Sequence, residues 1–173
     1  MTPEPLPPPA IAALLRSAAA VMHAELSALP ASALELHPAE REWCIKEVLG
    51  HLIETEQRGF SGRIRIILTS DAPELEGWDQ EAVARARADC HRDWASLYHE
   101  FIRLRTVSVA QVAALSAADL PRGGRHPKVG WLAVNDLLHE WVHHDRNHIR
   151  QMLANVQAHA WPHMRNAQRF SQP

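Results

Sequence analysis

The residues with the densest capacity for chemistry lie in one stretch, HEWVHHDRNHIRQM, residues 139–152. It carries two histidine pairs spaced four apart, His139/His143 and His144/His148. Side chains four apart stack on one face of a helix, so either pair could grip one metal ion, and imidazole is the commonest metal ligand. The apolar stripe of the same segment, Val134, Leu138, Trp141, Ile149, Met152 and Val156, discriminates between them. At about 100° per residue, His148 lies less than a quarter turn from the centre of that stripe and His144 about a quarter turn. His143 points almost opposite, and His139 falls slightly farther out than His144. The pair that can look into a helical core is His144/His148, and His139 and His143 are expected to meet solvent.

Two familiar patterns overlap this stretch. His139-Glu140-Trp141-Val142-His143 matches the HExxH of zinc proteases, whose chemistry needs a third protein ligand and a substrate cleft. The extended form would need a glycine where Arg146 stands and a histidine where Ile149 stands, and no Glu follows Glu140 to serve instead. Glu140-x-x-His143 also matches half of a di-iron carboxylate site, which needs a second Glu-x-x-His on another helix. No second copy exists in the chain.

A third ligand for His144 and His148 must come from another helix. His51, in EVLGHLIETE, sits at the edge of an apolar stripe near Val48 and Thr55. On spacing alone it reads equally well as a hydrogen-bonded, partly buried imidazole. Two carboxylates stand close by as candidates for acid–base or orienting roles. Glu56 follows His51 and reads either as such a group or as part of a solvated face with Arg58 as partner. Asp145 falls near the centre of the last apolar stripe, where a carboxylate needs a partner; the choices are a metal-bound histidine or an arginine on another helix. Arg58, Arg63 and Arg65 could greet an anionic substrate but read first as a solvated face.

Composition bounds these possibilities. The chain has 173 residues, enough for one domain with a sizeable core. Its 18 Lys+Arg against 20 Asp+Glu leave a formal net charge of -2, which gives no global pull on nucleic acid or an anionic membrane. Cys44 and Cys90 form no CxxC pair, which excludes a disulfide framework or a Cys-rich zinc module, and they read as packing residues. The 12 histidines are the unusual count. The acidic, Pro-rich start MTPEPLPPPA lacks the positive charge of a signal peptide, and no apolar run approaches the ~20 residues of a membrane span. A cytoplasmic protein is expected.

The elements that must position the histidines are helices. Residues 1–9 read as a flexible Pro-rich lead, 10–162 as one helical domain and 163–173 as a short tail. Apolar periodicity predicts helices from Ala10 to Leu29, from Cys44 to Leu68, over Gln80–Leu115 as a short helix and then a long one, and from Trp131 to His159. Three glycines in the second, Gly50, Gly59 and Gly62, suggest close approach by another backbone or a ligand. Residues 30–42, 69–79 and 119–130 read as loops. The fold class is all-α, a four-helix bundle with a short extra helix, and bundles build metal sites from side chains on facing helices.

WCIKEVLGHLIETEQ (43–57), the loop text DLPRGGRHPKVGW (119–131) and WLAVNDLLHEWVHHDRNHIRQM (131–152) together resemble the signature segments of the DinB-like, or YfiT-like, four-helix-bundle superfamily. The likeness runs from about Leu14 to Met152. It rests on a Trp some eight residues before a His-Leu pair, and on His-x-x-x-His followed by a Gln. The resemblance implies a metal triad of His51, His144 and His148, a cofactor of Zn²⁺ or Ni²⁺ with open positions for water, and a homodimer. It places Glu56 at a frequently acidic position and leaves His139 and His143 unassigned. It further implies a small-molecule substrate, with thiol-dependent S-transfer involving a low-molecular-weight thiol, or hydrolysis, as the reaction. A non-catalytic stress-related or ligand-binding bundle with a structural or vestigial site is the competing reading.

Overall fold

The computed structural model describes residues 3–171. Of the lead expected over 1–9 and the tail expected over 163–173, residues 1–2 and 172–173 lie outside the described residues. Ile11, Leu15, Ala18, Met22 and Leu26 form the buried face of the first long helix, α1 (Pro8–Leu26). It starts two residues before the expected Ala10. Pro8 and Pro9 fill its first two positions, where a missing N–H costs nothing because no carbonyl lies a turn behind it. A single turn, α2 (Ala31–Leu34), interrupts the expected loop that follows.

The second long helix is continuous in path but not in type. α3 (Ile45–Glu54) passes into a π segment (Thr55–Gly59) and then α4 (Ser61–Thr69). The Phe60 N–H reaches five residues back to the Thr55 carbonyl at 2.8 Å, and Thr55 Oγ1 donates to the Leu52 carbonyl at 2.9 Å. Such widened turns recur at functional sites because they re-aim side chains. Gly50 has a packing reason: a Cβ there would collide with the Asp89 carboxylate, which Arg87 and Arg92 hold in place.

α5 (Gln80–Arg87) is capped by Asp79, which accepts from the N–H groups of Glu81 and Ala82. A 3₁₀ turn (Asp89–His91) leads to α6 (Trp94–Ala113), capped by Asp93. The connector expected over 119–130 instead contains a two-stranded antiparallel hairpin, β1 (Gly123–His126) and β2 (Gly130–Ala133). Its short strands lack the alternating pattern that announces a strand, and Gly130 supplies the positive φ of the turn. α7 (Val134–Ala160) completes the bundle, and short 3₁₀ turns follow at Trp161–His163 and Arg165–Phe170.

α1 and the α3 segment each pack against both α6 and α7. The core divides into two apolar clusters. One gathers Ile11, Leu15, Phe60, Ile64, Val112, Leu138 and Trp141; the other gathers Met22, Leu26, Leu49, Leu52, Phe101 and Met152. Phe101 and Trp141 are wholly buried, and truncating either to Ala would cost roughly 3–5 kcal/mol. Where the clusters meet, α3, the π segment, α6 and α7 contribute a polar layer: His51, Glu56, Arg105, His144, Asp145 and His148. Among the described residues no helix is long and apolar enough to cross a membrane.

Candidate metal centre

His51 comes from the last turn of α3, and His144 and His148 come from successive turns of α7. The structure brings the three imidazoles together, with one ring nitrogen of each lying within 4.8 Å of the others. The Nε2 atoms of His51 and His144 are 3.0 Å apart. The His144 and His148 rings stand at 4.4 Å between centroids, and those of His51 and His148 at 4.7 Å. Trp43 leans on His51 and Phe60 meets His144, each at 5.2 Å, so apolar walls fix both rings.

Burial, reinforced by the neighbouring imidazoles, holds His51 and His144 well below the ordinary value, at about 3. His148 is lowered as well, chiefly by burial, with its bond to Gln151 acting against the shift. All three rings are therefore neutral at pH 7, the form in which imidazole binds a metal. His148 Nδ1 donates to Gln151 Oε1 at 2.9 Å, which leaves the lone pair on Nε2. His144 Nδ1 is buried without a hydrogen-bond partner. Three uncharged rings with no bonded carboxylate, two of them joined by a hydrogen bond between Nε2 atoms, gather nitrogen donors in one place. The donor set fits a divalent ion that accepts nitrogen ligands.

The sequence-predicted carboxylates are not in this cluster. Glu56 is 2% exposed, so the expectation of a solvated face with Arg58 is overturned; Arg58 pairs with Glu54 instead, at 2.6 Å. Glu56 and Asp145 both grip Arg105, a residue of α6 that sequence reasoning did not single out. Arg105 reaches Glu56 at 2.6 Å and Asp145 at 2.6 and 3.1 Å, and donates to the Leu15 carbonyl at 2.9 Å. Burial raises the Glu56 carboxyl against the pull of Arg105. Neither carboxylate touches the cleft, so neither is available to a substrate. Arg105 lies on the buried face of α6 between Phe101 and Val109, and a lone arginine inside that stripe was the signal for it.

His143 is exposed, as the helical geometry required. His139 is half-buried, so the expectation that it meets solvent holds only in part. Its Nδ1 donates to the Asn135 carbonyl at 2.8 Å and its Nε2 accepts the Leu6 N–H at 3.0 Å. It ties the Pro-rich lead to α7 and has no free lone pair.

The histidine cluster borders a cleft of about 1110 Å³ on whose wall His51 and His144 both lie. Phe60, Leu132 and Leu137 give it an apolar floor, and Trp78 and the hairpin close one side. Arg63 and Lys128 stand on the cationic part of the rim, with His126 beside them held below its ordinary pKa by burial and by these two cations, and Asp136 and Glu140 on the acidic part. Arg63 is fixed over the Trp78 ring at 4.9 Å and donates to the Glu76 carbonyl at 2.8 Å. Of the three arginines weighed from sequence, Arg63 is the one on this cleft. Glu140 was considered only within two patterns that failed. Its spacing of four from His144 places it on the same helix face, and that spacing was the overlooked signal.

A bundle whose second and last long helices bring three imidazoles together beside a cleft defines a class. The chain belongs to the DinB superfamily, whose family model matches residues 13–152. Among its relatives, YuaE, an uncharacterized protein of Bacillus subtilis (strain 168), is 29% identical over 147 residues, covering 74% of this chain and 86% of that protein. Among solved structures, YfiT from Bacillus subtilis superposes with a TM-score of 0.82 at 18% identity, over 93% of this chain and 94% of that one. YfiT is described as a probable metal-dependent hydrolase with an unusual four-helix bundle topology.

Proposed function

We propose that this protein is a metal-dependent enzyme, with His51, His144 and His148 holding one Zn²⁺ or Ni²⁺ ion, and that its reaction is hydrolysis of a small-molecule substrate. The observation that carries the reading is the convergence of three neutral imidazoles, two of them on the wall of a cleft of about 1110 Å³. A purely structural site would be a closed shell away from any cavity. A divalent ion bound there would act as a Lewis acid and lower the pKa of a nucleophile on its open position.

The remaining work falls to the chain's own groups. Gln151 fixes the tautomer and orientation of His148. Phe60 and Trp43 hold the other two rings and keep bulk water from their buried edges. Arg63 and Lys128 suit the anionic end of a substrate. Glu140, exposed on the cleft wall one turn before His144, is placed to take and return a proton. The described likeness of YfiT supports hydrolysis over transfer to a thiol.

The test is metal analysis of protein purified without chelator, followed by turnover of a panel of chromogenic esters, amides and phosphoesters, with and without an added low-molecular-weight thiol. We expect about one ion per chain and hydrolysis that is lost in His51→Ala and falls in Glu140→Gln. Turnover that requires the thiol would replace hydrolysis by S-transfer. Absence of bound metal, or activity that survives its removal, would overturn the reading.

A further inference from the structure

Cys44 and Cys90 lie away from the cleft and have no part in the function proposed above. Cys44 is the N-cap of α3, and Cys90 sits in the 3₁₀ turn that Asp89 seats against Gly50. Both are free and buried, Cys44 completely and Cys90 to 9% exposure. Their Sγ atoms approach to 2.6 Å. His37 Nε2 and Glu47 Oε2, themselves 2.9 Å apart, bring the local group to four possible metal ligands within 4.8 Å.

Two chemistries compete for these sulfurs. Thiolates sharing a tetrahedral zinc, each at about 2.3 Å, lie about 3.7 Å from each other, whereas bonded sulfurs lie about 2.05 Å apart. The observed approach is nearer the covalent distance. Glu47 Oε2 is also already engaged, because it accepts the Cys44 N–H at 2.9 Å as well as meeting His37. Capping does not account for Cys44 either, since Ser, Thr, Asp and Asn are the ordinary N-cap residues.

We propose that Cys44 and Cys90 form a reversible intramolecular disulfide by exchange with a low-molecular-weight disulfide. The thiolate of Cys90, the more exposed of the two, attacks one sulfur of the small disulfide, whose S–S bond breaks and releases one thiolate. The Cys44 thiolate then attacks the Cys90 sulfur of the mixed disulfide, and the second small thiolate leaves. Two protein thiols are oxidised, one small disulfide is reduced to two thiols, and the two protein protons end on those thiols. Burial raises both protein thiols, which slows the first attack without blocking the exchange. The bond would close a loop spanning 46 positions and tie the start of α3, the helix of His51, to the connector between α5 and α6. A cross-link of that span restricts the unfolded chain and raises stability.

The experiment compares full-length protein reduced with a phosphine against the same protein equilibrated with oxidised glutathione. We expect both cysteines to react with a thiol reagent in denaturant before oxidation and neither after. We also expect an intact mass lower by two hydrogens, one peptide joining Cys44 to Cys90, and a higher melting temperature. Cys44→Ser keeps a good helix cap, so it should fold and stop at the mixed disulfide on Cys90. Cys90→Ser should leave Cys44 unmodified. Persistence of both free thiols, or separate glutathione adducts on each, would overturn the proposal. So would a second zinc per chain in reduced protein that Cys44→Ser loses, which would mark a metal site instead.

Discussion

Two buried polar clusters share the middle of this bundle, and they solve one electrostatic problem in opposite ways. Glu56, Arg105 and Asp145 contain their own cation, which two carboxylates and the Leu15 carbonyl surround. His51, His144 and His148 contain none and find chiefly each other, with Gln151 the one polar side chain among the described residues to hydrogen-bond the group from outside. In the first cluster the chain supplies the cation, although Glu56 Oε2 keeps no hydrogen-bond partner among the described residues; the second cluster holds neutral nitrogen donors and no cation of its own. A neighbouring sequence position separates them, since Asp145 follows His144 directly, yet the two side chains serve different clusters. A buried group of polar side chains becomes a candidate site when it gathers ligand-type donors without a cation beside a cleft, and burial alone does not distinguish the cases.

The largest effect should come from opening the closed cluster. Arg105→Met leaves two buried carboxylates without their cation and should cost about 3–5 kcal/mol, read from urea unfolding. Adding Glu56→Gln and Asp145→Asn removes the stranded charges and should recover part of the loss. A loss under ~1 kcal/mol for Arg105→Met would mean that the ion cluster is not the strut described here.

The next largest effect concerns the open cluster. His51→Ala, His144→Ala and His148→Ala should each abolish metal binding while the bundle stays folded on its two apolar clusters. His143→Ala should leave binding intact. Metal present at about a hundred times its dissociation constant adds ~2.7 kcal/mol by mass action, several degrees in melting temperature for a domain of this size. That gap between metal-loaded and chelated protein should be clear at pH 8 and much smaller at pH 5, because protons compete for the imidazoles. The metal-free protein has its own pH dependence. Folded His51 and His144 stay neutral down to about 3, while the unfolded chain takes up protons near 6.5. Stability held above ~6.5 is therefore lost progressively as pH falls towards 3. Equal melting temperatures at pH 8 with and without confirmed metal would show that the triad does not couple α3 to α7.

Gln151 sharpens the comparison further. It is the one side chain that sets a tautomer in the open cluster, and it touches nothing in the closed one. Gln151→Leu should weaken metal affinity by about 10–100-fold in chelator competition, with little change in metal-free stability. An unchanged affinity would mean that packing against Phe60 and Trp43 orients the rings without help from Gln151.

Much of this contrast was legible in the sequence, and the part that was not has physical reasons. The bundle followed from apolar periodicity, and His144 and His148 from their angle to the α7 stripe. His51 stood at the edge of its stripe, where periodicity cannot decide, and only the resemblance to a family pointed to it. The π segment was hidden because a single widened turn hardly changes an apolar pattern. Its effect was to carry Glu56 inward, towards Arg105 and away from Arg58. The hairpin was hidden because strands of four residues, Gly-rich and half exposed, carry no alternation. Arg105 showed only as a lone arginine inside the apolar stripe of α6, and its partners were hidden because pairing across helices leaves no trace in local spacing.

The smallest predicted effect belongs to His139, the histidine that separates ligand geometry from mere proximity in sequence. It stands five residues before His144 on the same helix, and both of its ring nitrogens are used by backbone groups, the Asn135 carbonyl and the Leu6 N–H. No lone pair remains for a metal. His139→Ala should leave metal stoichiometry and affinity unchanged and cost about 1 kcal/mol, the net worth of a lost hydrogen bond. The loss should appear locally before it appears globally. The Leu6 amide should lose protection from hydrogen exchange and the first turn of α1 should fray, while amides near His51 and His148 keep theirs. Loss of metal in His139→Ala, with Leu6 still protected, would put the ligand face of α7 on the wrong side of the helix and with it the division between the two clusters.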